Sequence, residues 1–155
     1  MKNLIAALAA FTLIISSIPG YGQKQKPVLN HIAVYVKDLK TSTSFYMNMV
    51  QLDTIPEPFH DGKHTWFAVS ENSHLHLIEG AKNISSHDKN AHLCFSVPSI
   101  EEVIERLNNN NIDYESWAGK QKEVTTRVDG IKQIYFKDPD GYWLEINNDY
   151  PKAAK

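Results

Sequence analysis

The sequence predicts an α+β fold made of two copies of one β-α-β-β-β module. The segment at 31–36 (HIAVYV) matches the segment at 92–97 (HLCFSV), 61 positions further along. Near the end of each half, the triplet at 75–77 (LHL) matches the triplet at 144–146 (LEI), 69 positions further along. A duplication of this kind predicts two sheets related by a pseudo-twofold axis.

In the first module, runs of β-branched and apolar residues predict strands at 28–36, 65–69 and 74–78, with a further short strand near 52–55. A helix is expected over 41–50, because apolar residues recur there at helical spacing and Thr41 or Ser42 is available as a cap. Two prolines and a glycine predict a loop between 53 and 63.

The second module repeats this order. Strands are predicted at 91–97, 112–117, 131–137 and 142–147, with a polar loop over 118–130. A helix begins after Ser99, which has the glutamate of a capping box three residues later at Glu102. The DPDG segment at 138–141 predicts a tight turn before the last strand.

The amino-acid composition argues against several classes of function. The 155 residues suit one domain, and 16 basic against 18 acidic side chains give a net charge of −2, so a nucleic-acid partner is not expected. The only cysteine is Cys94, which excludes an intrachain disulfide framework and zinc sites built from several thiolates. We expect Cys94 to be buried and unpaired.

The first 22 residues have the layout of a secretory signal peptide. A short basic start precedes an apolar run at 4–15, and small residues at Gly20 and Gly22 offer a cleavage site. We expect an exported protein, periplasmic or secreted, with a linker at 23–27 and a tail at 149–155. No second long apolar stretch follows, so stable membrane insertion after cleavage is not expected.

Four side chains with metal-binding chemistry occupy matching positions of the two modules. His31 corresponds to His92 on the first strands, and His76 corresponds to Glu145 on the last strands. The pseudo-twofold would bring all four to one locus. Three imidazoles and one carboxylate suit one divalent ion such as zinc, nickel, cobalt, manganese or iron.

These segments resemble the vicinal oxygen chelate superfamily, which includes glyoxalase I, methylmalonyl-CoA epimerase, extradiol dioxygenases, fosfomycin-resistance enzymes and bleomycin-binding proteins. The resemblance covers residues 28–148, with module 1 at about 28–81 and module 2 at about 91–148. Its most specific part is IYFKDPDGYWLEI at 134–146.

The resemblance implies that the two modules pair into a partly open, barrel-like sheet cavity, the glyoxalase/bleomycin resistance/dioxygenase fold. It places the metal ligands on His31, His76, His92 and Glu145. Glyoxalase I has a glutamate where this chain has His76, which leaves Glu145 as the candidate catalytic residue. The predicted substrate pocket consists of Tyr35, His74, Cys94, Ser96, Arg127 and Trp143.

The resulting hypothesis is an exported, divalent-metal-dependent isomerase or lyase of the glyoxalase-like group. Its substrate would be a small oxygen-rich molecule chelated to the metal. An extradiol-type dioxygenase and a non-catalytic small-molecule binder of the bleomycin-resistance type are the alternatives. The resemblance also implies a homodimer, and it leaves open whether each site lies within one chain or between two.

Overall fold

The computed structural model describes residues 26–151, which form eight strands and two α-helices. The first module contains β1 (His31–Val36), α1 (Leu39–Phe45), a π-helical turn (Tyr46–Val50), β2 (Thr54–Ile55), β3 (His64–Ala68) and β4 (His74–Glu79). The second contains β5 (His92–Ser96), α2 (Ile100–Asn109), β6 (Thr125–Thr126), β7 (Lys132–Lys137) and β8 (Trp143–Asn147). The predicted signal peptide at 1–22 lies outside the described residues, as do most of the linker and the end of the tail. Between residues 26 and 151, no helix is long and apolar enough to cross a membrane.

The strands form two four-stranded mixed sheets, one from each module. The first sheet has the order β1-β4-β3-β2 and the second has the order β5-β8-β7-β6. In each sheet the first and last strands of the module run parallel, and the remaining neighbours run antiparallel. This arrangement confirms the predicted α+β fold with two equivalent modules. The two sheets remain separate and are not closed into a barrel within the chain.

The registers of the two parallel strand pairs are equivalent. Ala33 pairs with His76 in the first sheet, and Cys94 pairs with Glu145 in the second. Ala33 lies two residues after His31 on β1, and Cys94 lies two residues after His92 on β5. Because side chains alternate between faces of a strand, His31 shares a face with His76, and His92 shares a face with Glu145.

The core lies on the opposite face of both sheets and joins the modules. Its most deeply buried side chains include Val34, Leu75, Leu77, Ile134, Phe136, Leu144 and Ile146. The ring of Phe45 from α1 lies 6.2 Å from that of Phe136 on β7. Helix α1 therefore packs across the boundary between the modules rather than on its own sheet alone.

A buried polar clamp also joins the modules, and it is made by the DPDG turn. Asp140 accepts hydrogen bonds from the Lys37 backbone N–H (2.6 Å) and the Ser42 hydroxyl (2.5 Å). Asp138 accepts one from the Tyr46 hydroxyl at 2.8 Å. Both aspartates are about 5% exposed or less. The turn predicted from sequence thus also fastens the second module to the first helix.

One predicted strand is wrong, and one predicted helix has a different start and a different cap. Residues 112–117 form no strand; Glu115 makes an isolated bridge to Tyr135, and Ser116 turns away because its N–H bonds to the Lys120 carbonyl. The fourth strand of that sheet is instead the short β6, inside the predicted loop. The helix over 41–50 begins earlier, at Leu39, since Asp38 caps it through the Thr41 N–H. It ends as a π-helical turn before Gln51, which has a left-handed φ of 64°.

Helix α2 begins as predicted, with Ser99 as its N-cap. The Ser99 hydroxyl accepts a hydrogen bond from the Glu102 N–H at 3.2 Å. Ser99→Ala is expected to lower the free energy of unfolding by about 1 kcal/mol, because one N–H of the first helical turn loses its acceptor. Urea unfolding followed by circular dichroism measures this change. Ser86→Ala, at an exposed position outside any helix or strand, is the control. Equal midpoints for the two variants would contradict the capping role.

Candidate metal centre

We call the face of each sheet opposite the core its open face, and this face carries the predicted metal ligands. Its side chains are exposed on the edge strand β1, whereas His76 on β4 and Glu145 on β8 are buried. On β1 the side chains of Val34 and Val36 are buried, whereas His31, Ala33 and Tyr35 alternate with them and are exposed. On the second sheet the corresponding side chains belong to His92, Cys94 and Ser96 on β5, and to Trp143, Glu145 and Asn147 on β8. The sequence-predicted residues of each module thus share one face.

His76 lies at the centre of the open face of the first sheet. Its imidazole stacks on the Trp66 indole with 4.2 Å between ring centroids, and only 5% of the residue is exposed. The rings of His64 and His31 lie 5.0 and 5.9 Å away. Its Nε2 is buried and has no hydrogen-bond partner.

The surroundings of His76 favour its neutral form. Burial lowers the pKa of this imidazole below its ordinary value, and the nearby rings of His64 and His31 lower it further. A buried nitrogen without a partner costs free energy unless something binds it. A buried Nε2 without a partner fits a metal ligand in the tautomer whose Nδ1 carries the proton.

His31 and His92 are each oriented by a hydrogen bond to the ring nitrogen Nδ1. In His31 the partner is the Asn30 side-chain oxygen at 2.7 Å. In His92 the partner is the Lys89 backbone carbonyl oxygen, also at 2.7 Å. Since a carbonyl oxygen only accepts, Nδ1 carries the proton and Nε2 of the neutral ring is left with a lone pair. This is the arrangement by which metal-binding histidines are usually held.

Glu145 is held as a carboxylate beside His92. Tyr135 donates its hydroxyl to Oε2 at 2.5 Å, Asn147 donates to Oε1 at 2.9 Å, and the Cys94 thiol lies 3.3 Å from Oε1. Burial acts to raise the pKa of Glu145, but these hydrogen bonds and the nearby His92 outweigh it, so that the pKa is lowered overall. The resulting anion suits a metal ligand. Its role as the catalytic base stays a prediction.

The donor atoms of His92 and Glu145 are spaced like two ligands of one ion. His92 Nε2 and Glu145 Oε2 are 3.3 Å apart. Two ligands about 2.0–2.2 Å from a zinc ion are separated by about 3–3.4 Å for octahedral or tetrahedral angles. When His92 is neutral with Nδ1 protonated, both atoms present lone pairs, and a cation between them would relieve their repulsion.

The four predicted ligands form two separate pairs within one chain, which we call half-sites. Half-site 1 consists of His31 and His76 on the first sheet, and half-site 2 of His92 and Glu145 on the second. Among residues 26–151, no three of these four have donor atoms within 4.8 Å of one another. The group that does meet this distance is Glu57, Asp61 and His64, at the loop before β3. The expected convergence of four ligands is therefore not seen within the described part of the chain.

The predicted pocket residues lie in different parts of the structure. His74 lies on the face of His76 with its ring 6.0 Å from Trp66, and Tyr35 lines a cavity of about 260 Å³ with Asp140 and Tyr142. Cys94 and Ser96 line a different cavity of about 720 Å³ beside Tyr150.

The other two predicted pocket residues belong to module 2. The Arg127 guanidinium pairs with the Asp129 carboxylate at 2.5 Å. The Trp143 indole donates to the His87 carbonyl oxygen at 3.0 Å. The structure thus places Trp143 on the open face of the second sheet but keeps Arg127 in an exposed loop pair.

Cys94 is not the buried residue that we expected. It is unpaired, but it lies at the exposed edge strand β5. Desolvation of its sulfur and the nearby Glu145 carboxylate raise the pKa of the thiol to about 12. The thiol therefore stays protonated near neutral pH and is unsuited to act as a nucleophile.

Three contacts of the site were missed by sequence reasoning. The Trp66 ring covers His76, and the side chains of Tyr135 and Asn147 hold Glu145. A signal for them was present: Trp66 and Tyr135 are equivalent under the 69-residue repeat, and Asn147 lies two residues from Glu145 on the same strand face. Aromatic residues in strands are more often packing residues, which hid the role of the Tyr135 hydroxyl.

Comparison with known proteins agrees with this fold. The chain is 26% identical to a lactoylglutathione lyase of Pseudomonas putida over 85% of this chain and 94% of that protein. It is 27% identical to metallothiol transferase FosB of Staphylococcus epidermidis over 77% of this chain and 80% of that protein. Among solved structures, oxidase ChaP-H1 superposes with a TM-score of 0.66 at 26% identity, covering 83% of this chain and all of that one.

A family profile also matches most of the chain. The profile described as Glyoxalase/Bleomycin resistance protein/Dioxygenase superfamily matches residues 28–146, which include both half-sites and all of the strands except the last residue of β8. The chain therefore belongs to the Glyoxalase/Bleomycin resistance protein/Dioxygenase superfamily.

Proposed function

We propose that this protein is an exported, divalent-metal-dependent enzyme of the glyoxalase-like group. It would act as an isomerase or lyase on a small oxygen-rich substrate that chelates the metal. The observation that carries the proposal is the buried, unpartnered Nε2 of His76, at the register position that Glu145 occupies in the other module. Named relatives that are a lactoylglutathione lyase and a metallothiol transferase support the metal-dependent reading.

His31, His76, His92 and Glu145 would hold the ion. When bound, a divalent metal supplies a Lewis acid that stabilises negative charge developing on a substrate oxygen. The chain's own residues orient the ligands. The Tyr135 and Asn147 side chains fix both oxygens of Glu145, and Trp66 fixes the plane of His76. Open positions on the ion would be reached across the exposed faces of the sheets.

We further propose that a homodimer completes each site, with half-site 1 of one chain facing half-site 2 of its partner. Strands β1 and β5 are both at the edge of their sheets, so each has one side free of backbone pairing. Exposed apolar side chains accompany β1, among them Leu29 and Ile32 at 59% and 40% exposure. A second copy would cover this surface and bring three imidazoles and the carboxylate together.

The test uses metal analysis of mixed dimers. The parent protein is expected to bind about one divalent ion per chain after chelation and reloading. Chains with His31→Ala and His76→Ala, or with His92→Ala and Glu145→Ala, should each bind none. Mixing the two in equal amounts after mild dissociation should restore metal to about one quarter of all sites, since about half of the dimers are then mixed and one of the two sites in each mixed dimer regains all four ligands.

Each alternative outcome has a distinct meaning. No recovery in confirmed mixed dimers, with a parent that binds metal, would place the four ligands within one chain. A folded parent that binds no metal would overturn the enzyme proposal in favour of a small-molecule binder. Oxygen-dependent turnover that occurs with iron or manganese, but not with the other metals, would favour the dioxygenase. The likeness to an oxidase structure and the His31, His92 and Glu145 donor set favour that second candidate.

A further inference from the structure

Lys89 is anchored in an aromatic and acidic cage at the open face of the second sheet. Its ammonium lies 4.8 Å from the ring centroid of Trp143 and 5.6 Å from that of Tyr135. It also forms an ion pair with Glu115, and both side chains are only 18% exposed. A desolvated pair with aromatic contacts holds a lysine far more firmly than an exposed pair does.

The backbone of the same residue contacts a proposed metal ligand. The Lys89 carbonyl oxygen accepts the Nδ1 proton of His92 at 2.7 Å. The segment from Gly80 to Ala91, which joins the modules, contains no helix or strand. Near His92 this segment is also held by the Asp88 turn, in which the Asp88 carboxylate accepts the Asn90 N–H and the Asp88 carbonyl accepts the Ala91 N–H. His87 adds two contacts, because its carbonyl accepts a hydrogen bond from the Trp143 indole and its ring stacks on Tyr142. The Lys89 side chain adds an anchor at the residue that carries this carbonyl, and it connects that residue to Glu115 and to the second sheet.

The position of the carbonyl decides which nitrogen of neutral His92 carries the proton. With the carbonyl in place, Nδ1 is protonated and Nε2 is free to bind an ion. Without it, the competing tautomer with Nε2 protonated can donate to Glu145 Oε2, which lies 3.3 Å away. That hydrogen bond would occupy both the lone-pair position of His92 and one oxygen of Glu145.

We infer that Lys89 is a positioning residue that selects the metal-binding tautomer of His92 by fixing its own carbonyl through the side-chain cage. This inference rests on the proposed function, since it assumes that His92 is a ligand. It gives a role to the pairing of Lys89 with Glu115, which neither the fold nor the ligand set requires. Lys89 acts through His92, without touching the substrate.

The test is ¹⁵N NMR of the histidine rings in the metal-free protein, at a pH where His92 is neutral. In the parent we expect His92 to be predominantly protonated at Nδ1. In Lys89→Met, which keeps the cage filled but removes the charge, the Nε2-protonated form should become the major one. Affinity for added zinc should fall by about 10–100-fold, the usual effect of losing a group that orients a ligand.

Lys89→Arg is the conservative variant and should retain the parent tautomer, because a guanidinium also pairs with Glu115 and stacks on Trp143. Lys120→Met is the matched control: this lysine pairs with Glu123 in the same module but is 74% exposed. It should leave both the His92 signals and zinc affinity unchanged.

Glu115→Gln weakens the same anchor without altering residue 89, so it keeps the test valid if Lys89→Met does not fold. The inference is overturned if His92 stays protonated at Nδ1 in the folded variant or variants of this pair. Because the spectra are recorded without metal, a parent that binds no zinc would defeat the proposed function while leaving the tautomer result readable.

Discussion

Replacing His76 with alanine is expected to reduce bound divalent metal from about one equivalent per chain to background. The affinity should weaken by more than about 100-fold, since losing only an outer group that orients a ligand already costs 10–100-fold. The reason is the geometry of half-site 1, where His76 offers a buried nitrogen with no other partner. Elemental analysis after chelation and reloading with zinc, nickel, cobalt, manganese or iron measures this loss.

His60→Ala is the matched control for the metal experiment. The His60 side chain is 82% exposed, and its Nδ1 lies 3.8 Å from a carboxylate oxygen of Glu57. Its removal should leave metal content at the parent value. Circular dichroism and thermal unfolding establish that both variants are folded. A folded His76→Ala protein that keeps its metal would show that His76 is not a ligand. It would favour Glu57, Asp61 and His64 as the metal site.

Replacing Asp140 with alanine is expected to lower the free energy of unfolding by about 3–5 kcal/mol. Asp140 accepts hydrogen bonds from the Lys37 N–H and the Ser42 hydroxyl, and it is 4% exposed. Each hydrogen bond to a charged group is worth about 1.5–3 kcal/mol, and the abandoned donors stay buried. The effect should exceed that of the Ser99 cap, because the clamp connects the two modules. Urea unfolding monitored by fluorescence gives the value.

Asp129→Ala is the control for the clamp. Asp129 also carries a carboxylate in a turn of module 2, but its pair with Arg127 is exposed. Its replacement should change the urea midpoint little, as is usual for exposed pairs. Similar midpoints for the Asp140 and Asp129 variants would mean that the Asp140 hydrogen bonds contribute little to the stability of the fold. A change in the slope of the transition would instead indicate that the modules unfold separately.

The duplicated pattern was sufficient to predict the candidate ligands and their pairing by module. A strand repeats every two residues, so His31 and His92 at the start of equivalent strands had to share faces with their register partners. The parallel pairing of first and last strands then placed Ala33 beside His76 and Cys94 beside Glu145. These predictions depended on local periodicity, which sequence displays directly.

Contacts from irregular segments could not be predicted in this way. The strand expected at 112–117 has suitable residues, but only Glu115 pairs with Tyr135. The cage around Lys89 combines Glu115 with rings from β7 and β8, which are distant in sequence. Such contacts depend on the path of loops in space, and no periodic pattern marks them.

The sequence by itself determined the two-module architecture, the side chains that share a strand face, and the set of four candidate ligands. Only the tertiary structure decided that His31 and His76 lie on one sheet and that His92 and Glu145 lie on another, without forming one cluster in the chain. The physical reason is the packing between modules. The core and the Asp138–Asp140 clamp join the modules through helix α1 and the covered faces of the sheets, so the two open faces are left for other contacts.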